Sequence, residues 1–79
     1  MTNTRELIER FEKLAEQAEA DEDVGAELRM LAYELEEASE SVTNADEVRA
    51  LLVSALDARA YADRLERWRD IVRRRRLRE

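Results

Sequence analysis

NADEVRALLVSALDARAYADRLERWRDIVRRRRLRE, residues 44–79, contains neither glycine nor proline and reads as one helix that turns from acidic to strongly basic along its length. At about 1.5 Å per residue such a helix runs roughly 50 Å, whereas the two segments before it have room for helices of only about 27 to 30 Å. The predicted fold is therefore all-α: an antiparallel three-helix bundle, a single helical domain over residues 1–79, with a long third helix that protrudes. A break near Asp57, giving four helices, is the alternative, because four would pack more compactly. No glycine or proline there supports it.

Working back from that stretch, Asn44 and Glu47 fit a capping box at the start of helix 3 (residues 44–78), and Asn3 with Glu6 fits one at the start of helix 1 (residues 3–20). In helix 1, Leu7, Ile8, Phe11, Leu14, Ala15 and Ala18 form an apolar stripe of helical period. Arg5–Glu9, Glu6–Arg10 and Glu9–Lys13 are spaced to pair across one turn. Asp21-Glu22-Asp23 connects to helix 2 (residues 23–41), bringing carboxylates to the positive end of its dipole. There Val24, Leu28, Leu31, Leu35, Ala38 and Val42 alternate steps of four and three, the pattern of a coiled-coil seam. Met30 and Tyr33 lie off that seam and are expected to widen the core face toward a third helix. Short connections make consecutive helices antiparallel neighbours.

In helix 3 the apolar positions after Val48 are Leu51, Leu52, Ala55, Leu56, Ala58, Ala62, Leu65, Trp68, Ile71 and Val72. Ala55, Ala58 and Ala62 are small enough for a second helix to approach closely. Helices 1 and 2 should cover helix 3 to about Ala62, leaving Leu65, Trp68, Ile71, Val72 and Leu77 without cover. Tyr61, Leu65, Trp68 and Val72 step by four, three and four, and the stripe includes the only tryptophan. Tryptophan, tyrosine and arginine are the residues enriched at binding hot spots.

Charge is divided as unevenly as length. Residues 1–57 hold five basic and sixteen acidic residues, net −11, and residues 58–79 hold nine arginines and four acidic residues, net +5. Arg69, Arg73, Arg74, Arg75, Arg76 and Arg78 are the candidate electrostatic contacts. Cations at a helix C-terminus are favoured by a few tenths to about 1 kcal/mol, but four consecutive arginines exceed what capping needs. One reading is a solvated helix end; another is phosphate neutralisation on nucleic acid, disfavoured because the acidic body repels the same polyanion. A third is self-association or docking of a protein partner, the basic end of one chain lying along the acidic body of another. Trp68 favours the third.

Other chemistries are poorly supplied. There is no cysteine for disulfides or thiolates and no histidine, the usual neutral-pH base and commonest metal ligand. One glycine excludes a glycine-rich phosphate loop. The expected chain is non-enzymatic, without cofactor or metal. No apolar run reaches the roughly 18 residues of a membrane span, and Met1-Thr2-Asn3-Thr4 leads into a charged helix, so a soluble, cytoplasmic protein is expected. With 79 residues, a single core supplies only about 3–5 kcal/mol, which assembly would supplement. The capping boxes and regular stripes resemble an idealised, designed bundle. Gly25, the off-seam Met30 and Tyr33, and the unequal helices resemble a small natural regulator or phage-type protein; the −11 charge of residues 1–57 alone supports an inhibitor whose acidic body mimics a polyanion.

Overall fold

Two asparagines set where helices begin. In the computed structural model, which describes residues 3–78, Asn3 accepts from the Arg5 amide at 3.0 Å, and Asn44 accepts from Asp46 and Glu47 at 2.9 and 3.2 Å. The helices they start are α1 (Thr4–Glu19) and α3 (Ala45–Arg78), with α2 (Gly25–Ser41) between. Both asparagines are thus caps just outside the helix; Asn3 reaches the second amide of α1 where a capping box uses the third. No strand occurs among the described residues.

α1 ends in a Schellman turn, in which Asp21 N–H donates to Ala18 C=O at 3.1 Å and Glu22 N–H to Gln17 C=O at 3.0 Å. That turn needs a left-handed residue, and Asp21 supplies it at φ 61°. Asp21 and Glu22 are therefore spent on closing α1, and α2 starts at Gly25, two residues later than its sequence pattern suggests. Val24 occupies its N-cap without a side-chain cap bond.

The helices pack up-down-up. The start of α1 meets the end of α2 around Leu7, Ser41 and Val42, and Gly25 faces Ala62, where an added Cβ would stand 4.0 Å from the Ala62 carbonyl oxygen. Leu7 and Ala18 of α1, Leu28, Leu31, Ala32 and Leu35 of α2, and Leu51, Ala55, Ala58, Ala62 and Leu65 of α3 form the core. Alanines on α3 opposite leucines on α2 let the two axes come close, which explains why small residues recur there. Val24, Ala38 and Val42 close the ends of the seam.

α3 is continuous through Asp57, so the four-helix alternative is set aside. It defines the 54 Å long axis of a body only 18 by 17 Å across. Met30 and Tyr33 do not widen the core: each is 68% exposed. The position next to Leu31, Ala32, takes the inner side instead. Leu52 and Leu56 of α3 likewise face outward.

Candidate interaction surface

Cover over α3 reaches one turn farther than the sequence suggests. Leu65 is 7% exposed, which corrects the expectation that it lacks an intrachain partner. Tyr61 also packs against the core. Its ring lies 6.5 Å from that of Phe11, its hydroxyl donates to a Glu19 carboxylate oxygen at 3.0 Å, and Arg64 sits 5.4 Å above it. The Glu19 bond, then burial, raises the Tyr61 pKa above the ordinary tyrosine value.

Beyond the apolar core, ion pairs continue the join. Arg29, the lone cation of α2, donates Nε and Nη2 to the two Glu66 oxygens at 3.0 and 2.8 Å, and Nη2 also to Asp63 at 2.7 Å. Glu66 first, then Asp63, pushes the Arg29 pKa further up. Arg69 pairs with Asp23 just before α2, and Arg59 binds Glu36 at 2.6 Å while lying 5.7 Å from the Tyr33 ring centre. This strap was legible as a lone basic residue on α2 and two carboxylates three apart on α3, a spacing that puts both on one side of a helix. Helix-internal pairs compete with it: Asp63, in register for Arg67, bonds Arg29, and Arg10, in register for Glu6, binds Glu34 of α2 at 2.8 Å. Arg5–Glu9 alone keeps its expected geometry, at 3.6 Å.

From Trp68 onward, the Arg69–Asp23 pair aside, the side chains of α3 are exposed or half-buried up to Leu77. Trp68 is 53% exposed, Ile71 49% and Leu77 80%, with Val72 half-buried. Arg73, Arg74, Arg75 and Arg76 are all exposed; Arg78 belongs to α3, and its side chain lies outside the described residues. An open groove runs between the row Trp68-Val72-Arg76 and the row Arg69-Arg73-Leu77. These are adjacent rows of four-residue spacing, the ridge pattern that receives another helix.

The predicted contact residues do not share one face. At about 100° per residue, Leu77 falls on the side opposite Trp68, and Ile71 lies about 60° from Trp68 on the side away from the core. Four consecutive arginines likewise encircle the helix. A second open groove, between α1 and α3, has Phe11, Ala15 and Tyr61 in its floor and Glu12, Glu16 and Asp57 at its rim. Among the described residues, no group of three or more potential ligands is arranged to hold a metal ion, and no helix is long and apolar enough to cross a membrane. The chain matches no protein family, no curated protein and no solved structure.

Proposed function

We propose that this chain is a non-enzymatic helical interaction module that binds protein through the distal part of α3, either a second copy of itself or a separate partner. The observation that carries this reading is Trp68, a tryptophan left 53% exposed where α3 runs past the apolar core that ends at Leu65. Burying such a side chain is worth roughly 2–3 kcal/mol, and the arginines around it suit a contact whose rim is charged. The body supplies a matching surface, because acidic residues dominate positions 1–57. Charge complementarity of this kind sets orientation and encounter rate.

Nucleic acid is the weaker reading. Phosphate tracking needs cations on one face, and the Arg73–Arg76 run distributes them around the helix axis beside a body of the same sign as the ligand. The polyanion-mimic alternative rests on net charge alone.

Trp68, the only tryptophan, makes the test direct. Its fluorescence should shift to the blue with rising protein concentration or on adding the true partner, in step with mass by light scattering. Trp68→Ala should lose the association while keeping the helical content. A Trp68 that remains water-exposed throughout, with Trp68→Ala changing nothing, refutes the proposal.

A further inference from the structure

α3 carries a second apolar surface, on the side away from the core. Val53 is 50% exposed, Leu56 65% and, near the other end, Ile71 49%. At about 100° per residue these three fall within about 60° of one another, with Ala60 between them. They are two clusters on one line, separated by a stretch of small and charged residues.

We propose, building on the distal-α3 reading above, that the occupant of this surface is a second copy of the chain, its α3 antiparallel to the first and its Ile71 seated on Val53 and Leu56. The register follows from two-fold symmetry, which requires that if Ile71 of one chain meets Val53 of its partner, the reverse contact forms as well. The axis then passes near residue 62, and Ala60, small and exposed, lies beside it, where the helices must approach most closely.

Charge selects this arrangement over its rival. Pairing the distal segments with each other would set Arg73–Arg76 against their own copies. The antiparallel overlap instead lays Arg67 and Arg74 beside the flank of α2, where Tyr33, Glu37 and Glu40 are exposed. On the other edge, Trp68 comes level with Asp57 and the groove between α1 and α3, whose floor holds Phe11 and Tyr61. The exposure of Tyr33 and Leu56, which the single chain leaves without a purpose, is then accounted for by the same contact that covers Trp68. The unfavourable neighbours are Arg49, near Arg74 of the second copy, and Arg64, which lies two residues from the axis and so about 6 Å along the helix from its own copy.

The chain has no cysteine, so Val53→Cys and Ile71→Cys each introduce a single thiol at an exposed site. Mixed and mildly oxidised, the two variants should form a covalent dimer at least about tenfold more abundantly than either alone, because like positions would be about 27 Å apart along the helix. Leu56→Glu should weaken dimerisation at least about tenfold with helical content unchanged. Preferential Ile71→Cys self-linkage, or a strict monomer at tens of micromolar, overturns the proposal. If Trp68→Ala abolishes association while Leu56→Glu and the mixed linkage have no effect, the distal module stands and this register falls. If Trp68→Ala is also silent, both fall.

Discussion

Replacing Asp21 with glycine should stabilise this protein, and the size of the gain can be worked from the turn it occupies. Asp21 sits at φ 61° in the Schellman turn that ends α1. A non-glycine residue in that region costs roughly 1–2 kcal/mol, against which glycine adds about 0.4–1 kcal/mol of unfolded-state entropy. The carboxylate also lies at the negative end of α1, whose last turn has no basic residue, and removing it relieves a few tenths of a kcal/mol. The net gain is about 0.5–1 kcal/mol. With a urea slope of about 1 kcal/mol/M for so small a chain, Asp21→Gly should raise the unfolding midpoint by about 0.5–1 M. Measurements belong at one fixed protein concentration, because self-association adds to apparent stability. Asp21→Asn, which removes the charge but tolerates the same backbone, should give only the electrostatic few tenths. Asp21→Val should lose at least about 1 kcal/mol, since a β-branched residue is least tolerant there. A gain for Asp21→Asn equal to that for Asp21→Gly would show that charge, not backbone conformation, limits the turn.

Gly25→Ala should also stabilise, by about 0.4–1 kcal/mol, because the new Cβ meets the Ala62 carbonyl oxygen at an unstrained 4.0 Å; Gly25→Leu should reverse the sign in a thermal melt by forcing α2 away from α3. Leu35, 0% exposed, should cost about 2–5 kcal/mol when cut to alanine, comparable with the stability of a domain this small, so far-UV circular dichroism should show substantial unfolding at room temperature; Leu52→Ala, at 42% exposure, should change little. Tyr61 should ionise above the ordinary tyrosine value of about 10 because it donates to Glu19. With its folded pKa raised, its contribution is full below pH about 10 and is lost as pH rises through the folded value. An ultraviolet titration in a Tyr33→Phe background, repeated with Glu19→Gln to lower the value, checks this.

Residue order decides structure where one periodic pattern has one physical meaning. Leu28, Leu31 and Leu35 could only be a buried stripe at steps of three and four, and both asparagine caps stood just before charged first turns. It does not decide where apolar residues outnumber one face. In 51–56, leucine, valine and alanine point in several directions, and periodicity alone does not say which direction has a neighbour. Met30 and Tyr33, which their spacing would allow in the core, are exposed. Helix lengths alone leave Leu65 uncovered, whereas the join between α2 and α3 around Arg29 carries cover one turn past Ala62.

What the sequence determined by itself was local: three helices, the asparagine caps of α1 and α3, the α2 seam and the unbroken run of α3. Those depend on backbone propensity and on neighbours a few residues away, which a linear chain records. What only the tertiary structure decided was which side of α3 each neighbour occupies. Once α1 and α2 take the face of Leu51, Ala55, Ala58, Ala62 and Leu65, Val53, Leu56 and Ile71 are left on the other side, and Arg29 is drawn from its own helix to Asp63 and Glu66. Burial and ion pairing between distant segments depend on that choice of face, because a side chain gains or loses its partner with a rotation of about 100° per residue.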